Sequence, residues 1–245
     1  MVYSVIYIIM ATVGGPRIVR SGLVLNLDAG QKTSYSGSGT TWNDLSGNRN
    51  TATMYGSLPF SSENGGCFDF SSVTGSTAQT ASLGFSFASN MVNTTGSFTI
   101  SVTVKNPPDS VGQSGLFSNA GSGDGYRFGV GKNGVYWLIG PTYAESTVAF
   151  LSTLNSTSWY NIIAIFARSE ATPQIRVYLN GIFQNSGNFN ASQTAFTSTA
   201  PGIVRSPCCM PLFNGKLAQL SVYNKALSTS EILQNYNTTK GRFGL

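Results

Sequence analysis

The chain has no histidine, and only 9% of its 245 residues are charged. Without histidine, the adjacent Cys208 and Cys209 have no partners with which to build a zinc site. Cysteine is scarce too. Cys67, Cys208 and Cys209 form an odd set with two members adjacent, which does not make a disulfide framework and fits assembly in a reducing cytoplasm. The nine acids are Asp28, Asp44, Glu63, Asp69, Asp109, Asp124, Glu145, Glu170 and Glu231, and no two lie nearer than six positions. A retaining glycosidase needs carboxylates about 5 to 5.5 Å apart, which on one strand means acids two or four residues apart. That spacing is missing, so no enzyme activity is expected. Asp109 and Asp124 stand singly in turns, where a carboxylate commonly bonds nearby backbone, whereas Ca²⁺ wants about six to eight oxygens. Neither a metal nor any other cofactor is expected.

No run of basic residues exists either. The net charge of +5 comes from 14 basic residues strewn singly from Arg17 to Arg242, a poor match to a phosphate backbone, and nucleic acid is not an expected partner. The one long apolar stretch, 1–13, falls short of the roughly 20 residues that cross a bilayer. No membrane span is expected there. Its alternating Tyr3, Val5, Tyr7 and Ile9 suit a strand, and Gly14, Gly15 and Pro16 punctuate its end. Residues 1–20 read as a β-forming arm and linker, and 21–245 as one domain.

What the chain does have is 41% hydrophobic and 12% aromatic residues, too much apolar content for disorder. Abundant Gly, Ser, Thr and Asn suit short strands joined by tight turns. The Asn-x-Ser/Thr triplets at Asn93, Asn155, Asn190 and Asn237 are chance products of that composition. In Ser97 to Lys105, Phe98, Ile100, Val102 and Val104 alternate with polar residues, a strand with one wet face. Leu23, Leu25 and Leu27 mark the first domain strand, followed by a long polar loop from Gln31 to Asn50 that contains Trp42. Trp159 to Ala167 is apolar on both faces, a central strand covered on both sides. Asn133-Gly134 and Asn180-Gly181 are type I′ hairpin signals. In Phe213 to Tyr236, Ala218, Leu220 and Val222 define a strand. Ser228 and Glu231 then have capping-box spacing, with Leu227 and Ile232 placed as a staple. A short helix to about Lys240 follows, with Ile232, Leu233 and Tyr236 as its apolar face.

Four segments carry a family resemblance. A Gly-led strand followed by VYNKALSTSEI resembles the closing strand and helix of concanavalin A-like lectin and laminin-G-like domains, and WYNIIAIFARSEATPQIRVYLNG resembles their central strand pair. The start, GLVLNLDAGQKTSYSGSGTTWNDLSGN, and the end, NYNTTKGRFGL, resemble virion proteins of tailed bacteriophages that carry such a domain. The resemblance implies an all-β fold: a two-sheet antiparallel jelly-roll sandwich with one short C-terminal helix. Where such relatives have an Asn-Asp pair after the CFDF strand, this chain has SSVTGSTAQT.

Two functions follow from the resemblance. One is a virion structural protein (capsid decoration, head fibre or tail component), assembled in the host cytoplasm, contacting other coat or tail subunits and itself as a homo-oligomer. The alternative is a carbohydrate-binding adhesion module. For a glycan, Tyr126, Trp137 and Tyr143 with Asp124 and Asn133 form the candidate aromatic platform on consecutive hairpins; the competing reading puts Tyr126 and Trp137 in the core. The arm residues Tyr3, Val5, Tyr7 and Ile9 are candidates for edge-strand addition to a neighbouring subunit.

Overall fold

A computed structural model describes residues 17–72, 83–89, 91–92, 95–105, 107–108, 115–118, 126–139, 144–188, 201–204 and 213–245, leaving aside the side chains of 138–139 and 144–146. In chain order its strands are β1 (Leu23–Asp28), β2 (Thr41–Trp42), β3 (Ala52–Tyr55), β4 (Phe60–Ser61), β5 (Cys67–Asp69), β6 (Gly84–Phe87), β7 (Phe98–Lys105) and β8 (Gly115–Ser118). Then come β9 (Tyr126–Gly131), β10 (Gly134–Ile139), β11 (Ala144–Ala149), β12 (Trp159–Ala167), β13 (Gln174–Leu179), β14 (Ile182–Asn188), β15 (Gly202–Ile203), β16 (Lys216–Tyr223) and the helix α1 (Thr229–Phe243).

All pairings are antiparallel and make two sheets. Sheet A runs β14-β13-β12-β7-β16-β5-β4 with β1 also on β16; sheet B runs β11-β10-β9-β8-β15-β6-β3-β2. Alternation along each strand sends one set of side chains between the sheets. Leu25 and Leu27 of β1, Ile100, Val102 and Val104 of β7, and Leu220 and Val222 of β16 meet Phe85, Phe117, Phe128 and Trp137 of sheet B there. This is the jelly-roll sandwich that the alternation implied.

The helix forms where the capping box announces it. Ser228 N–H donates to Glu231 Oε2 at 2.9 Å, and the Ser228 hydroxyl accepts from the Glu231 amide. Leu227 and Ile232 share a buried cluster with Ile163, Ile165, Tyr178 and Tyr223, so α1 covers the outer face of sheet A. Gly244, at φ +68°, closes the helix in the left-handed conformation, three residues beyond the expected Lys240. The buried helix positions are Ile232, Asn235 and Phe243, whereas Leu233 is 44% exposed. The expected Ile232–Leu233–Tyr236 face is thus rotated: Asn235 turns inward to the Val19 amide and the Tyr223 hydroxyl, and Phe243 packs on Trp159.

Cover on the helix side corrects a second expectation. Thr99, Ser101 and Thr103 of β7 are buried, so the strand has no wet side. Thr99 Oγ1 donates to Lys225 O at 2.8 Å and accepts from Leu227 N, and Thr103 Oγ1 donates to Gln219 Oε1 at 3.0 Å. Hydrogen bonds let these hydroxyls tolerate cover that would be costly if they were unpaired.

Bulges shift two alternations. In β16 the register against β7 slips between Leu217 and Gln219, turning Leu217 into the core and Ala218 toward Cys67, Trp159 and Phe243 on the helix side. A slip between Leu23 and Leu25 likewise puts Leu23 in the helix-side cluster. Trp42, expected in a loop, is in β2 and fully buried.

Of the two hairpins, Asn180-Gly181 adopts φ of +50° and +76° as a type I′ turn requires, with Asn161 N–H bonded to Asn180 Oδ1 at 2.9 Å. The other turn centres on Lys132-Asn133, with Gly134 paired to Gly131, and neither central residue has positive φ, so it is not type I′. Residues 17–20 are not a free linker. Val19 is buried and its N–H donates to Asn235 Oδ1 at 2.8 Å, while Gln234 Nε2 donates to Arg17 O at 2.7 Å.

Candidate functional site

The two described rings of the sequence-derived platform lie in the core rather than on the surface. Tyr126 and Trp137 are buried, stacked at 5.4 Å with 13° between planes, and Trp137 packs on Phe166 at 4.2 Å. Both point inward because Tyr126 and Phe128 alternate along β9, and Trp137 lies opposite Phe128 on β10. Burial pushes the Tyr126 phenol well above its ordinary pKa, as expected of a core ring. Asn133 sits at the hairpin tip, where its Oδ1 accepts from Thr153 Oγ1 at 2.8 Å. Asp124 and Tyr143, like the arm residues Tyr3, Val5, Tyr7 and Ile9, lie outside the described residues.

A different site is built where the two ends of the domain meet. On β1, Leu25 and Leu27 take the core, so Asn26 and Asp28 point to the helix side. The Asp28 carboxylate accepts from Gly30 N–H at 2.9 Å, from Gln219 Nε2 at 2.8 Å, and from Arg242 Nη1. Arg242 Nη2 also donates to Gly66 O at 2.8 Å and its Nε to Asn64 O, while Asn64 Nδ2 returns a bond to Arg242 O at 2.8 Å. One guanidinium therefore fastens the last turn of α1 to β1 and to the 62–66 turn. Gly30 leaves room for it, and Gly66 lets the 62–66 turn approach the backbone after β1. A Cβ at Gly30 would lie 2.3 Å from Arg242 Nη2, and one at Gly66, where φ is +148°, would lie 2.4 Å from Ala29 O.

Beside this clasp is an open cleft of about 590 Å³ over the outer face of β1 and β16. One wall is the 17–20 segment held against α1, which meets the loop at Leu45 where Arg20 Nη1 donates to Leu45 O at 3.1 Å. That loop is fixed by Asp44, whose carboxylate accepts from the amides of Asn26, Ser46 and Asn50. Lining charges are Arg17, Arg20 and Arg242 against Asp28, three positive minus one negative, a local net of +2. Gln31 and Gln219 line it with amides that donate to Asp28, and the Thr238 and Thr239 hydroxyls donate to the Asn235 and Tyr236 carbonyls. Beneath lies a chamber of about 30 Å³ that shares Asn26, Gln219 and Thr239 with the cleft. It is bordered by Asn161, only 3% exposed, whose Oδ1 has no hydrogen-bond partner. The described acids are held in structural bonds, Glu63 for example by Lys105 at 2.7 Å and Lys216 at 2.6 Å, which hold its carboxyl down to about 2. The Cys67 thiol is buried and pushed up to about 11 by that burial, too high for a nucleophile. Such a cleft can bind; among the described residues that line it, Asp28 is the one carboxylate, and Gln219, Arg242 and the Gly30 amide hold it.

Sequence reasoning did not reach this site. Its signal was present only as the two end motifs, since Asn26, Asp28, Gly30 and Gln31 come from one, and Thr238, Thr239 and Arg242 from the other.

The family model described as the concanavalin A-like lectin/glucanases superfamily matches residues 77–233. No curated protein matches the chain. Among solved structures, the binding domain of botulinum neurotoxin DC in complex with SialylT superposes with a TM-score of 0.67 at 13% identity, over 90% of this chain and 52% of that one. The binding domain of Paraclostridial Mosquitocidal Protein 1 does so with a TM-score of 0.64 at 16% identity, over 89% and 52%. A botulinum neurotoxin type C structure, a toxin that enters cells in dependence on interaction with two ganglioside molecules, gives 0.64 at 13% identity, over 89% and 51%. The chain spans about half the length of these structures, and the likeness is one of fold.

Proposed function

The chain belongs to the concanavalin A-like lectin/glucanases superfamily, and from that premise we propose that it is a non-catalytic recognition and assembly module of a tailed-bacteriophage particle. The observation that carries the reading is the clasp. The segments beginning GLVLNLDAG and ending KGRFGL, which resemble virion proteins at the sequence level, bond to each other through Asp28 and Arg242 and border one open cleft. A lectin-like fold whose described acids are held in structural bonds, as Asp28 and Glu63 are, supports binding rather than hydrolysis. The neurotoxin domains, which share the fold, interact with gangliosides or SialylT, in keeping with a glycan among this chain's partners.

Coat or tail subunits and further copies of the same chain are the other partners, engaged through residues 1–16, with Tyr3, Val5, Tyr7 and Ile9 adding an edge strand to a neighbour. Arg17, to which the arm is joined, lies on the α1 side of sheet A and lines the cleft. No described helix is long and apolar enough to cross a membrane. The test is particle composition: virions purified through a density gradient should contain the protein at fixed stoichiometry by quantitative mass spectrometry. Recovery only as free protein, with none in the particle, refutes the virion reading. A second reading, an adhesion module acting mainly in host or surface recognition, is favoured by the cleft itself, and a free monomer retained on a glycan array would support it.

A further inference from the structure

We propose that β14 is the acceptor edge for the arm: residues 3–9 of a second copy of this chain pair with Ile182–Gly187 and add a strand to sheet A. The inference rests on the reading of residues 1–16 as an assembly arm and deepens it by naming the surface that receives them.

Elimination among the sheet edges is the first argument. A long, uncharged, apolar edge strand is a template for another strand, and folds guard against that with short edges, charges, prolines or cover. β2 and β4 have two residues each, and β11 carries Glu145. β1 is covered: Leu45 N–H donates to Asn26 O, and the Asn48 and Asn50 side chains donate to Leu23 O and Val24 O at 2.9 and 2.8 Å. β14, IFQNSGN, has seven residues with no charge and no proline, and among the described strands it pairs with β13 alone.

The second argument is the surface this edge presents. Ile182 and Phe183 are 67% and 47% exposed, and with Leu151 and Leu233 they are the exposed large hydrophobic residues among those described. All four gather here. Phe183 packs on Tyr178 on the α1 side, and Leu233 borders the turn into β14, its Cδ2 3.3 Å from where a Cβ at Gly181 would stand. Ile182, opposite Leu179, faces the other way, where the Leu151 amide donates to Gln184 Oε1 at 3.3 Å. A strand laid on such an edge needs apolar side chains on both faces. Residues 3–9, YSVIYII, supply them: Tyr3, Val5, Tyr7 and Ile9 on one face, Ile6 and Ile8 on the other.

The path of the chain favours a second copy as the donor. Arg17 is held on the flank of α1 that faces the cleft, whereas β14 begins beyond the opposite flank, beside Leu233 and Tyr236. Reaching its own β14 would draw Met10, Ala11 and Val13 over the exposed polar Ser230, Gln234 and Asn237, where they bury nothing apolar. Exchange of an identical element between two copies needs no such crossing.

The test puts a photo-crosslinking benzoylphenylalanine in place of Tyr7 in the full chain and mixes isotopically heavy and light copies. Mass spectrometry should find peptides from 1–16 of one isotope joined to 182–188 of the other. In sedimentation, Ile182→Lys with Phe183→Lys should raise the dissociation constant of the oligomer at least about tenfold, as deletion of 1–13 does, and the two changes combined should be no worse than either. Both side chains are exposed, so the melting temperature should hold, and Thr41→Lys on the β2 edge should leave assembly alone. Cross-links within one copy, cross-links to another surface, or assembly lost on deleting 1–13 yet indifferent to the lysines each overturns the proposal. In the last case the arm remains an assembly device with a different acceptor. Assembly indifferent to both the deletion and the lysines refutes the proposal and the arm reading together.

Discussion

Removing the Arg242 guanidinium should be the most damaging single change outside the sandwich core. In Arg242→Ala the Asp28 carboxylate, only 5% exposed, loses its counter-charge, and the carbonyls of Asn64 and Gly66 lose their donors. Breaking a buried pair on one side costs about 3 to 5 kcal/mol. Here the figure is discounted, because the arginine side chain is 23% exposed and Asp28 keeps Gln219 and the Gly30 amide as donors. Water in the open cleft can also reach the freed carbonyls. A loss of about 3 kcal/mol results, or roughly 6 to 12 °C in melting temperature for a chain of this size. Gly30→Ala gives the decisive control. Its Cβ would collide with Nη2 at 2.3 Å and Cζ at 2.4 Å, and since the guanidinium is pinned by its three acceptors, it cannot step aside without losing them. Gly30→Ala should therefore cost about 1 to 3 kcal/mol in the natural chain and close to nothing when Arg242 is already alanine. Urea denaturation of the four proteins measures both numbers. A loss below about 1 kcal/mol for Arg242→Ala, or the same Gly30→Ala cost in both backgrounds, would show that the clasp does not hold the termini together.

Three further outcomes are expected. Ser228→Ala should cost about 1 kcal/mol through loss of the capping hydroxyl, read as a lower urea midpoint; an unchanged midpoint would mean the cap contributes nothing. Glu63, held to about 2 by Lys105 and Lys216 against an ordinary 4.5, contributes stability that is complete above about pH 4.5 and is lost as pH falls toward 2. Glu63→Gln should flatten that part of the stability profile, and an identical acid limb in both proteins would contradict the ion-pair assignment. Deleting residues 1–13 should leave the sandwich's melting temperature in place and reduce oligomer formation or particle incorporation, measured by sedimentation and by particle assay; unchanged assembly would remove the arm from the account.

Local chemistry with a short range was legible in the sequence. The capping box at Ser228 and Glu231, the Asn180-Gly181 turn and the doubly covered β12 each depend on residues within one segment, and each formed as read. Long-range cover was not legible. The polar face of Thr99, Ser101 and Thr103 looks solvated until α1 and residues 225–227 close over it, and Leu233 looks buried until Asn235, bonded to Val19 and Tyr223, takes the inner face of the helix. Bulges defeat a strict period of two, which is why Ala218 and Leu217 exchange faces. The clasp needed residues 214 positions apart, Asp28 and Arg242, to be recognised as partners. Nothing in the spacing of a single segment carries that.

A cryo-electron reconstruction of the intact particle tests the central claim most directly. The account predicts the sandwich at defined positions on the particle, its residues 1–16 paired with a neighbouring subunit and the Arg17–Arg20 cleft open to the outside. A particle without the sandwich, or one in which the cleft is sealed against a coat or tail subunit, would contradict it.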